Sequence, residues 1–252
     1  MSGHSKWATI KHAKGAADAK RGKMFSRIAK EIMLVVKGNG DPNTNPALRN
    51  LISKAKTINM PKDNIDRAIK KGTGELQADI LEEITYEGYA AGAVGLVCQV
   101  LTSNKNRAAA EVRNIFKKNN SELGQPGSVM RNFERKGQIL LPKGELNEDD
   151  VMMLALDAGA DDVNASEEGF EIMTSPNAFT AVCDALNSAG IETTDAEVKL
   201  IPMATTPVND IAIAKAVNRF VDCLEDNEDV QNVYTTMDLS DEIEAALEAE
   251  EE

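Results

Sequence analysis

GQILLPKGELNEDDVMMLALDAGADDVNASEEGFEIMTSPNAFTAVCDALNSAGIETTDAEVKLI, residues 137–201, is the stretch whose order of elements is most legible. Residues 138–141 are a short apolar run suited to a strand, and 147–158 carry apolar residues at helical spacing. Residues 162–165 and 170–174 read as a hairpin turning at Glu168-Gly169. A helix over 176–189 and a last strand over 192–201 complete the order β-α-β-β-α-β. That is the split βαβ order of a ferredoxin-like domain.

Outward from this unit the chain looks incomplete on both sides. Upstream, 83–89 alternates as a strand and 94–101 is a nearly continuous apolar run, the pattern of a buried strand. A helix over 107–118 follows, with Val112, Ile115 and Phe116 on one side, then a turn-rich loop at Gly124-Gln-Pro-Gly127. Downstream of Pro202 and Pro207, a helix carries Ile211, Ala214, Val217, Phe220 and Leu224, and 230–237 alternates as a strand. One helix and one strand cannot form a domain, because a lone strand leaves its backbone groups unpaired. The two incomplete pieces are therefore expected to join. The expected division is 1–78, a basic arm and three-helix domain; 79–136 with 202–252, a discontinuous α+β domain; and 137–201, the ferredoxin-like domain. The fold class is α+β multidomain, a helical bundle plus two α/β-sandwich domains, the second inserted in the first.

The N-terminal part differs from the rest in charge. Residues 1–72 hold 16 Lys and Arg against 5 acids, whereas 73–252 hold 12 against 36. The overall charge of −13 thus conceals a basic head on an acidic body. Residues 1–18 have little to bury and read as an arm ordered against a partner. A helix over 19–37 places Phe25, Ile28, Ile32, Val35 and Val36 in one stripe. Lys20, Lys23, Arg27, Lys30 and Lys37 fall opposite it. Asn45-Pro46 opens a second helix and Asn59-Met60-Pro61 a third, which stops at Gly72. Sorted charge of this kind points to a polyanion. The candidate nucleic-acid-binding residues are His4, Lys6, Trp7, Lys11, His12, Lys14, Lys20, Arg21, Lys23, Arg27, Lys30, Arg49, Lys54, Lys56, Lys62, Arg67, Lys70 and Lys71. No helix shows the Asn, Gln and Arg pattern that reads bases, so recognition by backbone or shape is expected.

Other chemistry is not supported. No apolar run reaches the roughly 18 residues of a membrane span, and no hydrophobic signal region opens the chain. Cys98, Cys183 and Cys223 are widely spaced, which argues for buried thiols in a reduced, cytoplasmic protein. His4 and His12 have no neighbouring ligands at metal spacing. Pro126-Gly-Ser128-Val lacks the pattern of a nucleophile elbow, and the short Gly pairs at 72–74 and 92–95 match no phosphate fingerprint. No catalytic residue, metal, cofactor or small-molecule substrate is expected. The acidic tail, 240–252, reads as a short helix through Ile243, Ala246 and Leu247. It suits a solubilising role better than that of a polyanion mimic.

Several stretches carry a resemblance. They are Gly3-His-Ser-Lys-Trp-Ala-Thr-Ile-Lys-His12, Lys20-Arg-Gly-Lys23, and residues 59–74, NMPKDNIDRAIKKGTG. Tyr86-Glu-Gly-Tyr89, Glu111-Val-Arg113, Gly127-Ser-Val129, Phe133-Glu-Arg-Lys-Gly137, Pro207-Val-Asn209 and Asp229-Val-Gln231 extend it across almost the whole chain. The sequence resembles the YebC family, which includes the mitochondrial translational activator of cytochrome oxidase subunit I. The resemblance implies a helical N-terminal domain, two α+β domains with one inserted in the other, and a regulator without enzymatic activity. It points to DNA-binding transcriptional regulation, or to a ribosome-associated factor that binds ribosomal RNA. Two departures stand out. The usual Pro-Gly-Gly after Tyr-Glu-Gly-Tyr is here Ala91-Gly92-Ala93, and Gly-Ser-Val is followed by Met130-Arg131-Asn132. Gly127, Ser128, Met130 and Arg131 form a candidate partner loop.

The residues alone leave the partner open between DNA and structured RNA or a ribosomal particle. A competing class is a protein-interaction module whose basic head docks an acidic protein surface. A weaker one is a small-ligand sensor built on the two α+β domains.

Overall fold

The computed structural model describes residues 18–251. The expected N-terminal arm therefore lies, over 1–17, outside the described residues. Three helices come first: α1 (Asp18–Val35), α2 (Pro46–Thr57) and α3 (Lys62–Thr73). Strands β1 (Glu82–Tyr89) and β2 (Gly95–Thr102) lead to α4 (Lys105–Lys118) and the short β3 (Glu122–Leu123). Next come β4 (Phe133–Pro142), α5 (Glu148–Asp157), β5 (Ala160–Ala165), β6 (Gly169–Thr174), α6 (Phe179–Ser188) and β7 (Asp195–Pro202). The chain closes with β8 (Thr206–Val208), α7 (Ile211–Glu225), β9 (Val230–Thr235), β10 (Met237–Leu239) and α8 (Asp241–Glu251). The described residues fall into two compact units, 18–129 with 212–235, and 130–211 with 236–251.

In the first unit the helical head forms as its punctuation dictates. Asn45 caps α2 by accepting from the Leu48 N–H at 3.1 Å, and Pro46 occupies the first turn, where its missing donor is harmless. Gly74 ends α3 in the left-handed conformation. Ile28, Ile32 and Val36 bury against Leu48, Ala55, Met60, Ile65 and Ala68. Gly72 is the point of closest approach between helices. A Cβ there would lie 2.2 Å from Val36 Cγ2 and 2.6 Å from the Met33 carbonyl oxygen.

The same unit contains a four-stranded sheet in the order β3-β1-β2-β9. Its pairings are antiparallel, with Tyr86 opposite Cys98 and Cys98 opposite Val233. The chain thus leaves this sheet after β3 and returns to it with β9. Helices α4 and α7 meet through Phe116 and Phe220, packed edge to face at 4.8 Å. Cys98 is fully buried, and burial pushes its thiol pKa up to about 12, so it behaves as a small hydrophobe. At the β1–β2 turn Ala93 has φ +59°, a left-handed conformation that a family glycine would adopt without strain.

The second unit contains the ferredoxin-like sheet in the order β5-β6-β4-β7, with β4 antiparallel to both neighbours. Ile139, Leu141, Phe170 and Ile172 bury against Val151 and Ala155 of α5 and Phe179, Val182 and Leu186 of α6. Strand β4 is buried on both faces here: Ile139 and Leu141 enter this core, while on the other face Leu140 is buried and Gln138 bonds Glu171 across the β4–β6 ladder. The sequence reading assigns all of 202–252 to the split domain. Instead, 202–211 and 236–251 belong to this second unit. There β8 and β10 make a parallel two-stranded ribbon, fixed by the Thr206 and Thr236 hydroxyls at 2.8 Å. Pro207 carries no N–H and is suited to such a narrow ribbon rather than to the centre of a sheet.

Candidate nucleic-acid interface

Of the residues singled out by charge, His4, Lys6, Trp7, Lys11, His12 and Lys14 lie outside the described residues, as do the side chains of Lys20 and Arg21. The rest separate into two groups. The first is the row on α1. Lys23 Nζ donates to Asp226 Oδ1 at 2.8 Å, and the Arg27 guanidinium donates to the Glu225 carbonyl. Lys30 Nζ reaches the carbonyls of Leu101 (3.1 Å) and Glu228 (2.9 Å) and Asp229 Oδ1 (2.9 Å). The acidic turn after α7, Glu225-Asp-Asn-Glu-Asp229, thus receives the face that the sequence reading offers to a polyanion. Lys23, Arg27 and Lys30, which the sequence reading offers to a nucleic acid, thus also have partners within the fold.

Asp229 is the hub of this contact and is only 3% exposed. Its second oxygen accepts from Thr102 Oγ1 at 2.9 Å and from Arg107 at 2.7 Å. The Asn227 side chain caps its backbone N–H at 3.0 Å. Burial alone pushes the Asp229 carboxyl up. The hydrogen bonds from Lys30, Arg107 and Thr102, with the Lys30 charge, outweigh that and hold its pKa below the ordinary carboxylate value. In return the Arg107 pKa rises, through the hydrogen bond and charge of Asp229. Sequence reasoning missed Asp229 because it stands about two hundred residues from the lysine it pairs with.

The second group is exposed. Arg49, Lys54 and Lys56 on α2, and Lys62, Arg67, Lys70 and Lys71 on α3, all face solvent, as does Lys37 just beyond α1. Arg49, Lys56, Lys62, Arg67, Lys70 and Lys71 form no ion pair among the described residues. The only acids on these two helices are Asp63 and Asp66. Asn50 and Asn64 are half-buried, so the outward surface of α2 and α3 is built of point charges and guanidinium forks.

The candidate partner loop is anchored from beneath. Glu87, buried in β1, accepts from the Gly127 N–H at 2.6 Å and the Val129 N–H at 2.8 Å. Tyr89 donates to the Ser128 carbonyl at 3.3 Å. A carboxylate with two backbone donors is well satisfied, and it ties Tyr86-Glu-Gly-Tyr89 to Gly127-Ser-Val129. Gly88 belongs to the same arrangement: a Cβ there would meet the Phe116 ring at 2.5 Å and the Glu122 carbonyl at 2.6 Å. Met130 and Arg131 open a short 3-10 turn, Met130 half-buried and the Arg131 side chain exposed.

Among the described residues, no cluster of His, Cys, Asp or Glu is arranged to hold a metal, and no helix is long and apolar enough to cross a membrane. A concavity of about 360 Å³ in the head is lined by Met33, Leu34, Leu76 and Ile80 together with Lys37 and Lys71. Asp79 also lines it.

Comparison with known proteins agrees with this architecture. A family description, "TACO1/YebC protein N-terminal domain", matches residues 5–75, and "TACO1/YebC second and third domain" matches 81–237. A probable transcriptional regulatory protein of Syntrophomonas wolfei is 46% identical over 251 residues, covering 98% of this chain and all of that one. A protein of the same description from Desulfatibacillum aliphaticivorans is 50% identical over 243 residues, 96% of this chain and 98% of the relative. The crystal structure of a conserved hypothetical protein from Aquifex aeolicus superposes with a TM-score of 0.79 at 40% identity, over 89% of this chain and 93% of that one. With family domains matched along most of its length and relatives of near-equal length, the chain belongs to the TACO1/YebC family.

Proposed function

We propose that this protein is a non-enzymatic, nucleic-acid-binding regulator of gene expression, a DNA-binding transcriptional regulator that grips the phosphate backbone with its helical head. The observation that carries the reading is the exposed set Arg49, Lys56, Lys62, Arg67, Lys70 and Lys71, unpaired among the described residues within an otherwise acidic protein. The relatives' description as probable transcriptional regulatory proteins supports it. Six phosphate contacts give a log–log salt slope of about −5 on duplex DNA. Lys62→Ala/Arg67→Ala/Lys70→Ala/Lys71→Ala removes four of them and makes the slope shallower by about 3–4. A wild-type affinity that ignores salt, or a quadruple variant that binds as wild type does, would overturn the proposal.

A second reading, binding of structured RNA at the ribosome, is favoured by one feature of the head. Its exposed cations suit a backbone, and the asparagines within α2 and α3, Asn50 and Asn64, are half-buried rather than offered to base edges. Titrating an RNA duplex beside the DNA duplex, and following the protein through a sucrose gradient of lysate, separates the two. Co-sedimentation with ribosomal particles and tighter RNA binding would replace promoter DNA with ribosomal RNA as target.

A further inference from the structure

The acidic body has one element of opposite sign. Outside the head there are three acids for every cation, yet α4 carries Lys105, Arg107, Arg113, Lys117 and Lys118 against the single Glu111. Two of these cations have internal partners: Lys105 pairs with Glu82 and Arg107 with Asp229. Arg113, Lys117 and Lys118 are exposed and form no ion pair among the described residues. Lys117 and Lys118 sit in the last turn, where the helix dipole favours a cation. The dipole does not account for Arg113, which sits a full turn earlier.

The neutral residues of the outward face are as informative. Asn106, Ala110 and Asn114 recur at i, i+4 and i+8, are all exposed, and fall on one stripe at about 100° per residue. Neither amide has a hydrogen-bond partner among the described residues. Asparagine is a poor residue for a helix interior, so helix stability does not explain Asn114, which sits well inside α4; Asn106 lies in the first turn. Glu111, the one acid, is held at the edge of the stripe by Asn227 at 2.7 Å. The opposite face is fixed: Ala108, Val112 and Phe116 are buried, and Asn104 caps the first turn by accepting from the Arg107 N–H at 3.1 Å. Through Asp229, which binds both Arg107 and Lys30, α4 is tied directly to α1 of the head.

We propose that α4 is a second nucleic-acid-contacting element, set into a groove of duplex DNA. Arg113, Lys117 and Lys118 meet flanking phosphates, and Asn106 and Asn114 turn their amides to base edges. An asparagine amide matches the donor–acceptor pair on the major-groove edge of adenine, and a slim Ala110 between the two lets the helix approach. This inference rests on the reading of the head as a duplex-binding domain, and it departs from the sequence reading, which expects no base-reading helix.

The test uses the full chain and fluorescence anisotropy of a short labelled DNA duplex across a salt series. Arg113→Ala/Lys117→Ala/Lys118→Ala makes the salt slope shallower by about 2–3, with cooperative thermal unfolding retained and the midpoint lowered only slightly by the lost cations of the last turn. If this variant binds as wild type does while the quadruple head variant is weakened, the α4 proposal fails and the head reading stands. If wild type binds no duplex DNA, both fall. A triple variant impaired on an RNA duplex of the same sequence but not on DNA overturns the assignment to DNA. Asn106→Ala/Asn114→Ala leaves the slope in place and abolishes enrichment of any motif from a random duplex pool. Wild-type protein that enriches no motif refutes base reading by α4.

Discussion

Helix α1 and the pair α2–α3 are equally rich in Lys and Arg, lie in one small bundle and share one apolar core, yet their charges meet opposite fates. Lys23, Arg27 and Lys30 on α1 are turned onto the acidic turn 225–229, and Lys30 and Arg107 converge on a buried carboxylate. The cations of α2 and α3 face solvent, six of them without an internal partner among the described residues. A basic stripe is therefore not a ligand surface by composition alone. What decides is whether the same chain supplies acids in the right place, and a row of lysines on a wheel does not reveal that. Here the same sign of charge holds the head to the sheet on one side and is available to a polyanion on the other.

The sharpest way to break this contrast is to remove the hub. Asp229→Ala removes the acceptor shared by Lys30, Arg107 and Thr102, leaving Lys30 only the Leu101 and Glu228 carbonyls. Removing one partner of a buried pair typically costs about 3–5 kcal/mol, and the partial exposure of Lys30 (21%) places the expected loss near the lower end. Chemical denaturation measures it. The same change in an exposed residue, Lys62→Ala, shifts stability by no more than about 0.5 kcal/mol. Equal losses in the two variants would erase the distinction between the two sides.

The apolar side of α1 gives the next largest effect. Gly72→Ala drives a methyl against Val36 and the Met33 carbonyl. Overpacking of this kind costs about 1–3 kcal/mol, partly offset by the better helix propensity of alanine, about 1 kcal/mol. A net loss in thermal unfolding is expected. A gain would mean that α1 and α3 are not held at the separation described.

Acid dependence sharpens the role of Asp229 further. Its folded pKa is held below the unfolded value, so its contribution is fully present above the unfolded carboxylate pKa of about 3.9. The contribution fades as pH falls below that and through the lower, folded value. Wild type should therefore lose stability more steeply between roughly pH 5 and pH 2 than Asp229→Asn, which has no proton to take up at that position. Parallel pH–stability curves for the two proteins would show that the carboxylate does not carry the linkage.

How much of this was legible in the sequence follows the range of the interactions involved. The ferredoxin-like unit was readable because its strands and helices are each set by local periodicity; their edges lie within three residues of the expected ones except at β4, which begins at Phe133, five residues before the expected start. The starts of α2 and α3 were readable from Asn45-Pro46 and Pro61, whose effects are confined to a single turn, whereas the stop expected at Gly72 falls at Gly74. Strand β8 was missed: three residues around a proline carry no alternation to detect. The pairing of β10 with β8 was missed for a related reason, since 230–237 alternates without a visible break at Thr236. In the candidate site every cation was visible, but the division between engaged and exposed ones was not. It depends on Asp229 and its neighbours, brought to α1 only by β9 pairing with β2. Glu87 stands in a legible motif, but its bonds to Gly127 and Val129 belong to the fold.

The smallest effect probes the head-to-sheet contact itself. Lys23 and Asp226 form an ion pair at 2.8 Å, but their side chains are 36% and 67% exposed, unlike Asp229 at the hub. Water solvates both partners in the absence of the pair, salt screens it, and two long side chains lose freedom in making it. A double-mutant cycle with Lys23→Ala and Asp226→Ala should thus give a coupling of about 0.2–1 kcal/mol that shrinks as salt is raised. The Lys30–Asp229 cycle, with its buried acceptor, should exceed it and respond less to salt. If the exposed pair proved the stronger, cohesion between head and sheet would lie in Lys23 rather than in Asp229, and the order of burial would no longer set the order of energies.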